Sequence, residues 1–86
     1  FVESMIKSGV KLGLSEEIAT KLAIGTIVGS AAMLQESGID AATLRKNVTS
    51  PNGTTAAALE VFSTKKLDDI INEAMTAAKK RSQELA

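Results

Sequence analysis

The sequence predicts an all-α fold, a single-domain bundle of about five helices built round a long buried central helix. Three observations carry this. Apolar residues recur at helical spacing, no stretch alternates with the period of a strand, and residues that cap or stop helices punctuate the chain. The 86 residues are 44% hydrophobic and 23% charged, the balance of a folded chain rather than a disordered one. Two Phe and no Trp or Tyr leave Ala, Ile, Leu, Val and Met to supply nearly all of the buried surface. A chain of this size buries only roughly 60–65% of the surface its unfolded form exposes, and small side chains narrow that margin. Burial against a second chain is the expected supplement.

The first helix starts abruptly. Phe1, Val2, Met5, Ile6 and Val10 fall at helical spacing with no capping residue ahead of them, so Phe1 reads as the middle of a helix whose chain continues upstream. Gly9 and Gly13 loosen its end. Ser15 is a good N-cap for a second helix, with Glu16 and Glu17 in the first turn, where the helix dipole favours negative charge. That helix should run from Glu16 to Ser37 and stop at Gly38, about 33 Å at 1.5 Å per residue. Ile18, Leu22, Ala23, Ile24, Ile27, Val28, Ala31, Ala32, Met33 and Leu34 surround its axis, which marks it as buried. Gly25 and Gly29, with Ser30, Ala31 and Ala32, leave one surface open to the close approach of another helix, from this chain or a second.

Asp40 can cap a short third helix through Ala41, Ala42 and Leu44, and the run from Asn47 to Gly53 is turn chemistry. Thr54 and Thr55 open a fourth helix that ends near Ser63 and Thr64, two residues able to cap the fifth. From Lys66 to Leu85 the residues Leu67, Ile70, Ile71, Ala74, Met75 and Ala78 form the clearest amphipathic stripe in the chain. Asp68 and Asp69 near its start and Lys79, Lys80 and Arg81 toward its end match the helix dipole.

Absent residue types exclude several chemistries. Without Cys there is no disulfide, thiolate nucleophile or Cys-based zinc site; without His the usual base and metal ligand are missing. The scattered carboxylates predict no metal site. Ten Lys plus Arg balance ten Asp plus Glu, so neither nucleic acid nor an acidic membrane is an expected partner. The longest uncharged run, Leu22 to Gln35, is short of the roughly 20 residues of a bilayer span, and no secretory signal opens the chain. The expected location is therefore cytoplasmic.

Ser50-Pro51-Asn52-Gly53-Thr54-Thr55 is the one segment that joins a flexible backbone and hydroxyls to the start of a helix. Helix N-terminal N–H groups lack intrahelical partners and the dipole favours a carboxylate or phosphate there. The same residues also read as a plain capping turn. With no His to activate its hydroxyls the segment should bind rather than cleave, and neither a P-loop nor a Gly-x-Gly-x-x-Gly fingerprint occurs. Arg81, at the edge of the last stripe, reads either as an anion or interface partner or as a snorkelling stem.

Val48-Thr49-Ser50-Pro51-Asn52-Gly53-Thr54-Thr55, leading to Ala58-Leu59, resembles the signature loop and helix of the pyrroline-5-carboxylate reductases, in their C-terminal helical dimerisation domain. The resemblance covers nearly the whole chain. Gly9-Val10-Lys11-Leu12-Gly13-Leu14, Gly29 with Met33-Leu34-Gln35-Glu36-Ser37-Gly38, and Ala77-Ala78 followed by Arg81-Ser82-Gln83-Glu84-Leu85 occur in the family's order and at its spacing. Asn52 stands where glycine is commoner, and Ser63-Thr64-Lys65-Lys66 replaces a segment that usually contains Glu and Gly. Asn tolerates left-handed backbone angles, so the loop should keep its shape.

The resemblance implies that residues 1–86 are the dimerisation and substrate-binding domain of an enzyme of proline biosynthesis, which transfers hydride from NADPH or NADH to 1-pyrroline-5-carboxylate and yields L-proline. It implies a homodimer in which two helical domains interlock to build the substrate pocket, with assembly beyond the dimer left open. The cofactor would be bound by an N-terminal Rossmann domain, none of it by this chain, and the fragment alone would be inactive. Carried onto this sequence, Ser50 and the N–H groups of Gly53 and Thr54 would hold the substrate carboxylate. The catalytic residue would be Thr55, its hydroxyl hydrogen-bonding the ring nitrogen. A non-catalytic homodimerisation module and a regulatory paralogue of the reductase are the alternatives.

Overall fold

The computed structural model describes residues 1–86 as five helices and no strand: α1 (Val2–Lys11), α2 (Glu16–Ser37), α3 (Ala41–Asn47), α4 (Thr54–Thr64) and α5 (Leu67–Leu85). The all-α expectation holds, with helix bounds within a residue or two of those read from the sequence. Contacts cluster into two units, Phe1–Leu44 and Arg45–Ala86, with the boundary falling inside α3.

In the first unit α1 lies along α2. Val2, Met5, Ile6 and Gly9 are half-buried, the i, i+3, i+4, i+7 face of a helix, while Phe1 is 80% exposed. The two helices approach closely at Gly9, where a Cβ would come within 3.1 Å of Ala19 Cβ. Ala19 and Ala23 are the only buried residues of the chain. α1 ends in a Schellman motif: the N–H of Leu14 donates to the Gly9 carbonyl and that of Gly13 to the Val10 carbonyl, both at 3.0 Å, with Gly13 at φ 111°. Ser15 then caps α2 as expected, its Oγ accepting from the Ile18 N–H at 3.2 Å, and Gly38 at φ 69° stops it.

Beyond buried Ala19 and Ala23 and half-buried Thr20 and Ala32, the single chain leaves the residues of α2 exposed. Ile24, Val28, Met33 and Leu34 are exposed, Val28 by 62%. The central helix that the sequence marks for burial is therefore not buried by its own chain. The total accessible surface is 7326 Å² for 9.0 kDa. Two independent globules of half that mass would together expose only about 5,900 Å². By length and composition α2 is also apolar enough to cross a membrane, with a mean hydropathy of 1.3 over 18 residues, because the helix extends beyond the uncharged run. Core helices of water-soluble proteins share that property.

Asp40 caps α3. Its carboxylate accepts from the Thr43 hydroxyl at 2.8 Å and the Thr43 N–H at 3.1 Å, and these bonds, the hydroxyl's first, hold its pKa below the ordinary value.

In the second unit α4 contacts α5, and half-buried Leu59 and Leu67 line one groove between them. Ile70, Ile71 and Met75 of the amphipathic stripe remain exposed. One capping expectation is corrected. Ser63 and Thr64 lie inside α4, and the N-cap of α5 is Lys66, in the left-handed region at φ 60°, ψ 54°, with no side-chain cap. The reversal between the two helices takes only Lys65 and Lys66, so one residue must adopt positive φ. That conformation costs a non-glycine residue roughly 1–2 kcal/mol, whereas glycine forfeits about 0.5–1 kcal/mol of chain entropy. Lys66→Gly should therefore stabilise the fold by about 0.5–1 kcal/mol, read as a higher urea midpoint at fixed protein concentration. An unchanged or lower midpoint would show that the lysine side chain compensates its backbone strain.

Candidate functional site

The loop singled out in the sequence lies wholly within the second unit. Ser50 to Gly53 form a tight turn in which the Gly53 N–H donates to the Ser50 carbonyl at 3.1 Å. Pro51 occupies its second position and Asn52, at φ 59°, its third, the signature of a type II turn. Asn52 thus adopts the left-handed backbone that the sequence requires of it.

Gly53 is also the N-cap of α4, in an extended conformation that any residue could adopt. The need for glycine there is spatial. A Cβ on Gly53 would collide with the Ser50 Oγ and come within 3.2 Å of the Ser50 carbonyl oxygen. The Ser50 hydroxyl therefore stands directly against the start of α4.

With no side chain at the cap, the first intrahelical bond is from the Ala57 N–H to the Gly53 carbonyl at 3.1 Å. The N–H groups of Thr54, Thr55 and Ala56 have no partner within the chain. Neither threonine acts as the N-cap; the bend at Pro51 and Asn52 forms as the capping-turn reading expects, but its cap is Gly53. Ser50 and Thr54 are exposed, whereas Gly53 and Thr55 are half-buried. The arrangement suits an anion: unpartnered donors, the positive end of an eleven-residue helix and a hydroxyl within one short segment.

Gly53 differs from its expected part in one respect, since its N–H is engaged in the turn. The donors without a partner are one to three residues further on, at Thr54, Thr55 and Ala56. Sequence reasoning also missed Thr49, whose hydroxyl donates to the Arg45 carbonyl. A hydroxyl residue just past a helix end was the available signal.

Other candidate groups are less promising. Arg81 pairs with Glu84 of its own helix at 3.1 Å, both solvent-accessible. An open groove of about 550 Å³ at the α4–α5 junction, lined by Arg45, Leu59, Phe62, Lys66 and Leu67 among others, includes no residue of the Ser50–Thr55 loop. No three His, Cys, Asp or Glu side chains group as metal ligands. The residues contain neither a strand nor a glycine-rich strand-to-helix turn.

A helical chain whose longest helix is left largely exposed has the features of an association domain. The chain belongs to the family described as pyrroline-5-carboxylate reductase dimerisation, whose model matches residues 1–85. It is 44% identical to the pyrroline-5-carboxylate reductase of Pseudomonas aeruginosa over 85 residues, 99% of this chain and 31% of that protein. With the enzyme of that name from Mycobacterium leprae it shares 40% identity, over 98% of this chain and 34% of the relative. The crystal structure of Plasmodium falciparum pyrroline carboxylate reductase with NADP bound superposes with a TM-score of 0.92 at 36% identity, over 95% of this chain and 33% of that one. The chain thus spans about a third of the length of the relatives it matches.

Proposed function

We propose that residues 1–86 are the dimerisation and substrate-binding part of a pyrroline-5-carboxylate reductase, a cytoplasmic enzyme that reduces 1-pyrroline-5-carboxylate to L-proline with NADPH or NADH. The observation that carries this reading is the Ser50–Thr55 turn, with its bare donors at the start of α4, inside a chain that belongs to this family along its length. The nicotinamide cofactor supplies the hydride and is held by residues outside this chain, in an N-terminal Rossmann domain. Two copies of the chain pair as a homodimer, for which the exposed apolar residues of α2 provide the surface.

The chain's own residues bind and orient. The substrate carboxylate sits at the N-terminus of α4, held by the Ser50 hydroxyl and by backbone N–H groups; Thr54 and Thr55 offer theirs without giving up another bond, while that of Gly53 would have to be shared with the turn. The Thr55 hydroxyl hydrogen-bonds the ring nitrogen and so orients the C=N bond. Reduction of such a bond needs no protein nucleophile, only orientation and a partner for nitrogen, so the absence of His and Cys is compatible with it.

The test is reduction of 1-pyrroline-5-carboxylate by the full-length protein that carries this chain, followed as NADPH or NADH oxidation. No turnover with either nucleotide would favour a regulatory paralogue, and a stand-alone helical module would in addition bind neither proline nor carboxylate analogues. Gly53→Ala probes the seat itself. Its methyl group must displace the Ser50 hydroxyl, and the loss of one charge-assisted hydrogen bond should raise the KM for the imino acid roughly ten- to a hundredfold, with the KM for the nucleotide unchanged. An unchanged imino-acid KM would remove Ser50 from the carboxylate site.

A further inference from the structure

We propose that Thr49 is a positioning residue for the carboxylate seat, tying the stem of the loop to the last turn of α3 and so setting where the Ser50 hydroxyl stands. This rests on the reading of Ser50–Thr55 as the substrate loop. Thr49 donates twice to that turn: its hydroxyl to the Arg45 carbonyl at 2.5 Å and its N–H to the Lys46 carbonyl at 3.2 Å. Both acceptors belong to the set of carbonyls that a helix C-terminus leaves without intrahelical partners. Thr49 is half-buried, between exposed Val48 and Ser50.

The residue after this double tie is Ser50, whose carbonyl accepts the bond that closes the turn and whose hydroxyl packs on Gly53. From Arg45 to Gly53 the backbone is held by consecutive hydrogen bonds, and Thr49 supplies the only side chain among them. Removing its hydroxyl leaves one backbone bond at the stem. The turn can then pivot as a unit, carrying the Ser50 hydroxyl and the first N–H groups of α4 off their common alignment. A binding group displaced by a fraction of an ångström forfeits much of its hydrogen bond.

The experiment compares Thr49→Val, which keeps the shape and loses the donor, with Thr49→Ser, which keeps the donor, in the full-length reductase, with Ser50→Ala as a reference. The expected result is a roughly three- to tenfold higher KM for 1-pyrroline-5-carboxylate in Thr49→Val, a smaller change in kcat, an unchanged nucleotide KM, and recovery in Thr49→Ser. If Ser50→Ala raises the imino-acid KM and Thr49→Val does not, the positioning role is overturned while the loop reading stands. Equal losses in the valine and serine variants, or a rise in both KM values together, would assign Thr49 to packing alone. No effect of Ser50→Ala would overturn the loop reading, and the role of Thr49 with it.

Discussion

Thr55→Ala in the full-length protein that carries this chain, the proposed reductase, is expected to lower turnover by roughly ten- to a thousandfold, the range found when one hydrogen bond to a reacting group is removed in other enzymes. The reasoning starts from position. Thr55 is the second residue of α4, half-buried, next to the exposed Thr54 and two residues beyond the turn. In the proposed complex its hydroxyl is the protein's partner for the ring nitrogen, the atom that changes most in charge and geometry as the C=N bond becomes an amine. The loss should fall mainly on kcat, because that bond tightens as the reaction proceeds, whereas the carboxylate contacts are made alike in ground and transition states. Thr55→Ser should retain most of the activity. Single-turnover kinetics would separate this step from product release, and unchanged kinetics in Thr55→Ala would remove the residue from the mechanism.

The second large effect concerns the bare face of α2. Val28→Glu alters a residue that is 62% exposed in the single chain, where a surface substitution changes stability by no more than about 0.5 kcal/mol. In the proposed homodimer the same position is buried in both copies. An unpaired buried charge costs about 3 kcal/mol or more, so the dimer should weaken by upward of a hundredfold. Sedimentation equilibrium should find the unaltered protein dimeric at micromolar concentration and the variant shifted to monomer. A variant that stays dimeric would place the interface elsewhere. An unaltered protein that is monomeric at all concentrations would remove the homodimer altogether.

The sequence made the helices legible because their limits depend on short-range chemistry. A serine before two glutamates, an aspartate three residues ahead of a threonine and a glycine after an apolar run each act within about one turn, and Ser15, Asp40 and Gly38 do what their positions suggest. The cap of α5 was not legible, although its start was read to within a residue. Its N-cap, Lys66 at φ 60°, follows from how α4 turns into α5 over two residues, and lysine carries no capping signal. In the candidate site, residue types and order pointed to the loop, but not to which N–H groups remain available. That depends on Gly53 closing a turn onto Ser50 and on Thr49 reaching back to Arg45, hydrogen bonds set by actual backbone angles.

By itself, then, the sequence determined the all-α class, the approximate limits of all five helices, the family and the loop at residues 50–55. Periodicity, caps and local motifs act over a few residues and survive in any sufficiently detailed reading of the chain. Only the tertiary structure decided that α2 is covered by its own chain at little more than Ala19 and Ala23, and that the Ser50 hydroxyl leans on Gly53. Burial and close approach depend on which surfaces meet in three dimensions. An apolar helix looks the same in sequence whether its own chain or another covers it.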